Sequence, residues 1–344
     1  MFLQITEQLK QDLLEEGSLI PAAKGKRANA RGALQSPASK PVLQLNMVPA
    51  PININQYLNP YGPTNPNGDY LSLFKFRDLT NDIPDFNTLY FPSGNRIDEI
   101  YGNVVTGVTI QQGATFTQNA FLKSQQKFAS AQLSSLSITP DPWWPVYANP
   151  TDWITQAIKK INLSTSEINL QDPVSSVGND FTIIGNPANQ NLDWNKLGGE
   201  GQIVTTPLNK NSVLNTIKYK FLVVKLNRPW LDLSLFSMGG WFLGGQEVGF
   251  VSSGDLTNNA GVFPLYPTAF ILATDLEITG DLNHDDTTLV KETLDKNGEI
   301  NLGSFNITSI ESTSSGNVDT LANPNYFIIA WISQLVGLTP KVDS

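Results

Sequence analysis

Through residues 217–236, IKYKFLVVKLNRPWLDLSLF, the large apolar side chains of Tyr219, Phe221, Val223 and Val224 are interleaved with Lys218, Lys220 and Lys225. Aromatic and β-branched residues pack well on a pleated surface, so this run predicts a central strand with one buried face and one wet face. Pro229 has no amide hydrogen for a ladder and pushes Arg228 into extended or turn geometry, so the strand must stop near Asn227 and the chain must turn at Arg-Pro-Trp. Residues 267–278 and 326–335 are similar apolar runs and predict two more strands, with a further one around 181–184. Residues 70–76 alternate apolar with polar and also read as a strand. Asn297-Gly298 sits between TLVKETLD and INLGSFNI and predicts a hairpin, because both residues accept the positive φ of a tight turn. The glycines around Trp241 and Phe242 predict a tight hairpin or loop with close backbone contacts.

A different period runs through the first residues. Leu3, Ile5, Leu9, Leu13 and Leu14 form one apolar stripe on a helix over residues 2–16, which Gly17 is placed to end. Two arrangements cover such a stripe: docking on the chain's own body, which is favoured, or packing on a neighbouring copy. Residues 97–135 show mostly three- and four-residue apolar steps and predict a helix over 118–135, whereas Gly102, Gly107 and Gly113 weaken the first half. Thr151 or Asp152 is placed to cap a short helix running into Ile158. Between Val42 and Pro66, prolines recur in an Asn-rich segment that can form neither a long helix nor a central strand. It must lie extended over something, with Tyr57, Leu58 and Tyr61 as anchors.

These elements divide the chain into an N-terminal helix and basic flexible arm (1–41), an extended segment with a helical region and an aromatic loop (42–160), and a β-rich body (161–344). The expected class is mainly β with some α: a β-sandwich-like body, an N-terminal helical arm, an extended proline-rich segment and one or two internal helices. Composition agrees. Only 15% of residues are charged, against 22 prolines and 26 glycines, which suits strands and long loops. The absence of cysteine excludes disulfides and thiolate metal sites and leaves the compartment open. A net charge of −9 argues against binding polyanions over the whole surface. Local charge is another matter, since Lys24, Lys26, Arg27, Arg31 and Lys40 lie in a linker with no acidic residue. A solvated linker is favoured there, with binding to nucleic acid or an acidic surface as the alternative. No run of 18 apolar residues suggests a membrane-spanning helix, and the N-terminus lacks the basic and apolar regions of a signal peptide.

Catalytic constellations find little support. His284 is the only histidine and its neighbours are Asp and Asn. No G-x-S-x-G elbow occurs, and the glycine-rich stretches at 198–201 and 239–245 lack the phosphate-loop ending and the Rossmann spacing. Paired carboxylates are scattered and form no local pattern. One metal-like spacing stands out: Asp281, Asn283 and Asp285 at alternate positions, with Glu292 at the twelfth, as in a calcium loop. It departs at the sixth position, where Asp286 replaces the required glycine, so a solvated acidic turn is favoured over calcium. No other cofactor is expected.

Trp143, Trp144, Tyr147 and Trp153, set among prolines in a stiff loop, suit either an exposed platform for sugar rings, a membrane or a partner groove, or a buried satellite core; burial is favoured. Trp230 and Trp241 read as core, with indole N–H groups bonded to loop carbonyls. Arg228 reads as structural, through an ion pair with Asp232 or a stack on an indole face. The leading functional expectation is a non-enzymatic structural or assembly protein, a capsid-, tail- or shell-like subunit forming homo-oligomers or larger assemblies through its N-terminal arm. The alternative is a soluble binding or toxin-like module that engages carbohydrate or membrane through the aromatic loop.

Overall fold

The computed structural model describes residues 1–17, 40–49, 51–135, 139–173, 180–185, 191–197, 202–296, 298–312 and 318–342. Lys24, Lys26, Arg27 and Arg31 lie outside them. Strand exceeds helix, 36% against 28%, which makes the body β-rich with helices attached.

Two long strands, Val213–Asn227 and Leu265–Asp281, form the centre of a nine-stranded sheet. They pair antiparallel, with Phe221 opposite Ala273 and Val223 opposite Ile271. Beyond the second strand, the order runs to Phe327–Leu335, Val42–Asn46 and Leu89–Tyr90, the last pair parallel. Ser309–Ser312 and Asp319–Asn323 pair along the far end of Leu265–Asp281. Tyr147–Asn149 and Ser164–Asn169 line the outer edge of Val213–Asn227. Segment 42–160 therefore gives three strands to the same sheet as the body.

The alternation expected for the central strand holds only in part. Ile217, Tyr219, Phe221 and Val223 face one core, shared with helix α1 (Phe2–Glu16) and a four-stranded sheet that includes Trp194–Leu197, Ile300–Leu302 and Phe305–Ile307. Leu222 and Val224 face a second core under α2 (Tyr70–Thr80) and α5 (Trp153–Lys159). Only beyond these helices does that face reach water, at Lys218 and Lys220, and Lys220 then pairs with Asp275 at 3.1 Å. The body is thus sandwich-like on one side and helix-covered on the other.

A third core gathers around the Arg-Pro-Trp turn. Trp230 packs on Tyr101 of α3 (Ile97–Gly107) and Phe128 of α4 (Thr115–Ser130). Gly102 survives in α3 because a side chain there would press into the Phe128 ring at 3.0 Å. Trp230 and Trp241 donate their indole hydrogens to the carbonyls of Pro145 and Met238. Arg228 is buried but makes no ion pair with Asp232. It donates to the carbonyls of Pro267 and Thr80, and burial lowers its pKa to about 10. Asp232 instead accepts from Ser234 at the start of a 3-10 turn.

Several expectations are corrected. Residues 70–76 form α2, not a strand, because Asp69 accepts hydrogen bonds from the backbone N–H groups of Leu71 and Ser72 and starts a helix there. Five helices follow α1 among the described residues, rather than one or two. TLVKETLD belongs to α6 (His284–Asp295), a helix and not the first strand of a hairpin; Asn297 of the expected turn lies outside the described residues. In the 181–184 stretch Thr182 makes one bridge, to Val42, and no strand forms. The 118–135 helix starts and ends earlier, at Thr115 and Ser130. α1 lies with Phe2, Ile5, Leu9 and Leu13 inside its own body's core, so its apolar stripe is already covered.

Candidate functional site

The proline-rich segment builds one wall of a cleft. Asn53 accepts from Asn55 N–H and starts a short 3-10 turn over Ile54–Tyr57, which turns Ile54 and Tyr57 into the core beside Trp153 and Phe76. The chain then closes on itself. Asp69 N–H donates to the Asn59 carbonyl at 2.7 Å, Tyr61 N–H to the Asp69 carbonyl at 3.0 Å, and Gly62 and Asn65 exchange backbone bonds at 2.9 and 3.1 Å. The Asn65 side-chain amide donates to Asn59 Oδ1 and to the Pro60 carbonyl, both at 2.9 Å. The loop is so tight that a Cβ on Gly68 would lie 2.4 Å from the Pro60 oxygen. Ser72 Oγ, donating to the Leu58 carbonyl at 2.7 Å, ties the loop to α2.

Asp69 sits at the junction. Partial desolvation would raise its pKa, but hydrogen bonds from the Ser72 side chain and from the Ser72 and Leu71 backbone outweigh it and hold the carboxyl below its ordinary range.

The opposite wall is the aromatic segment. The Pro145 carbonyl is held by Trp230, Val146 is buried, and Tyr147–Asn149 pairs with the end of the central strand. Asp152 occupies the cap position of α5 without a side-chain bond to the helix backbone; its carboxylate accepts from Gln156 at 2.9 Å instead. Between the walls lies a cleft of about 560 Å³, within the usual size of ligand sites. Tyr57, Tyr61, Phe76, Tyr147 and Trp153 line it together with Thr64, Asn65, Asn149, Thr151, Asp152 and Asn227, and among the described residues no Lys, Arg or His does.

The four aromatic residues singled out in sequence share a neighbourhood but not one exposed face. Trp143 and Trp153 are each 2% exposed, Trp143 edge-on to Phe74 and Trp153 edge-on to Phe270. Trp144 stacks on Phe128 at 4.2 Å and donates to its carbonyl, away from the cleft lining. Tyr147 is half-buried and lines the cleft. Tyr61, half-buried like Tyr147, lines the cleft beside it and stacks on Tyr70 with centroids 4.1 Å apart and planes at 15°. Burial, and then the neighbouring Tyr61 and Tyr70 phenols, push the Tyr147 hydroxyl above the ordinary phenol range. The anchors Tyr57 and Tyr61 were legible in sequence; their meeting with Tyr147 across about 85 residues of chain was not.

The calcium-like spacing resolves into a helix start. Asn283 caps α6 by accepting from Asp285 N–H, and the buried Asp286 accepts from Trp194 Nε1, Asn209 N–H and Ser212 Oγ. Glu292 lies seven residues beyond Asp285 on the helix, roughly 10 Å along its axis, and faces Lys296. Among the described residues, no three His, Cys, Asp or Glu side chains cluster as a metal site. Asp281 and His284 are exposed. No helix in the described residues is long and apolar enough to cross a membrane.

No protein-family model, curated protein or solved structure matches the chain.

Proposed function

We propose that this chain is a non-enzymatic binding protein and that its working surface is the cleft between the 57–65 loop and the 146–153 segment. One observation carries the reading: aromatic and uncharged polar side chains from two distant segments converge on a preformed hollow with one carboxylate and, among the described residues, no cation. Such a lining recognises an uncharged ligand by shape, ring contact and hydrogen bonding. The buried carboxylates near helix starts have structural duties, Asp98 holding Arg77 and Asn81, and Asp286 holding three donors.

The test uses a plugged cleft. Gly62 lines the hollow without a positive φ, and a Cβ there meets the Tyr147 ring at 3.6 Å, ordinary contact. Gly62→Trp should fill the hollow, and an unchanged melting midpoint of the variant shows that the fold is kept. Wild type is screened by calorimetry against neutral oligosaccharides, a proline decamer and zwitterionic lipid vesicles. Binding of any of these that Gly62→Trp abolishes supports the reading, and binding that the variant leaves intact rejects it.

A second reading, assembly through contacts between copies, is favoured by Phe116, which α4 presents to solvent at 79% exposure. Because the apolar stripe of α1 is covered by its own body, an interface would have to use surfaces of that kind. Light scattering decides: an oligomer that dissociates in Phe116→Ser supports assembly, and a monomer removes it.

A further inference from the structure

Resting on the reading of the cleft as a binding site, we infer that its ligand is a neutral glycan, seated with one pyranose ring on the outer face of Tyr61. Sugar rings are amphipathic: their axial C–H faces pack on flat aromatic surfaces while their hydroxyls each donate and accept at the rim. The cleft supplies both. Tyr61 is backed by Tyr70 in a nearly parallel stack, which holds its ring in place, and it is half-exposed where it lines the cleft. The loop that carries it is closed by seven hydrogen bonds among residues 59–69, so little ordering is needed on binding.

The rim supplies the polar half of the match. The side chains of Asn149, Thr151 and Asn227 make no hydrogen bond to the described residues, and all three are exposed at the mouth. Amides and hydroxyls that both donate and accept suit vicinal hydroxyls. A phosphorylated or carboxylated ligand would find no cation among the described lining residues and would meet Asp152, so the glycan is uncharged. A polyproline peptide, the other ligand that favours tyrosine-lined grooves, offers carbonyl acceptors but no backbone donors, and would leave the amide oxygens of the rim unmatched.

The experiment is isothermal titration of the full chain with maltohexaose, cellohexaose and chitohexaose, and separately with a proline decamer. At least one hexaose is expected to bind. Tyr61→Ala should weaken it about tenfold or more, and Tyr61→Phe should restore most of the affinity, because the ring face and not the hydroxyl makes the contact. Unchanged melting of Tyr61→Ala, a half-exposed position, separates loss of binding from loss of fold. If the decamer binds in a manner that Gly62→Trp blocks while no hexaose binds, the ligand class is wrong and the cleft stands as a peptide site. Hexaose binding that Tyr61→Ala leaves intact overturns the proposed seat. If neither probe binds wild type, the glycan inference falls; the binding function beneath it falls only if the lipid vesicles of the calorimetric screen also fail to bind.

Discussion

Asp286→Ala should be among the most damaging single substitutions in the chain, even though the residue lies in a stretch that resembles a calcium loop. Its carboxylate is 3% exposed and accepts from Trp194 Nε1 at 2.9 Å, Asn209 N–H at 3.0 Å and Ser212 Oγ at 2.5 Å, which fastens the start of α6 to the 209–212 turn and the four-stranded sheet. Hydrogen bonds to a charged group contribute about 1.5–3 kcal/mol each, but the three are not equally lost. Asn209 and Ser212 are partly exposed and can turn to water, whereas Trp194 is 1% exposed and its indole hydrogen would be stranded. Losing the bond to Trp194 and leaving that donor unpaired, with smaller losses at the other two, gives about 3–5 kcal/mol. Asp286→Asn keeps an acceptor oxygen and should cost about half as much. Urea titration followed by tryptophan fluorescence measures both. A loss under about 1 kcal/mol for Asp286→Ala would refute this account of the α6 start. Adding millimolar calcium to wild type should leave the midpoint unmoved.

Other substitutions probe the cleft and the N-terminal helix. Trp153→Ala removes a ring packed among Tyr57, Phe76 and Phe270 at 5.6–5.9 Å and should destabilise by about 3–5 kcal/mol in the same titration. Gly68→Ala places a methyl group 2.4 Å from the Pro60 oxygen, so the 59–69 loop must open. A cost of about 1–3 kcal/mol and weakened cleft binding are expected, and wild-type binding would contradict the closed loop. Asp12 on α1 is pushed above its ordinary range by burial. The folded chain therefore holds that proton more tightly than the unfolded chain, and the stability from Asp12 is fully present below about pH 3.8 and lost as pH rises through the folded pKa. Asp12→Asn should raise the melting midpoint at pH 7 and leave it nearly unchanged at pH 3.

The long strands and α1 were legible because their patterns are carried by many residues at once. The runs through Phe221, Ile271 and Ile329 are β-branched and aromatic over enough length that no local signal competes, and the stripe from Ile5 to Leu13 has one period throughout. The failures lie where a single cap decides. YLSLFKF supports both a two-residue and a three-to-four-residue period, and the Asp69 carboxylate, bonded to two N–H groups ahead of it, selects the helix that buries Ser72, Leu73, Phe76, Arg77 and Thr80. Asn283 does the same for α6, where alternating Asp and Asn side chains resemble a metal loop until the backbone shows which of them bond inward. The cleft was half visible. Prolines marked both walls as irregular, and Tyr57 and Tyr61 stood out as anchors, but only pairing of Tyr147–Asn149 with the edge of Val213–Asn227 brings the walls face to face. Burial of Trp143 and Trp153 likewise depends on α2, read in sequence as a strand, whose Phe74 and Phe76 pack on them, whereas the short helix α5 that carries Trp153 was legible from its cap.

Hydrogen exchange read by mass spectrometry, with and without a saturating mixture of the three hexaoses, tests the working surface most directly. Protection gained together in peptides covering residues 57–69 and 146–153, and absent in Gly62→Trp, is the predicted result. Protection by the hexaoses confined to other segments would contradict the cleft as the place where this protein meets its ligand, and no protection anywhere would contradict a neutral glycan as that ligand.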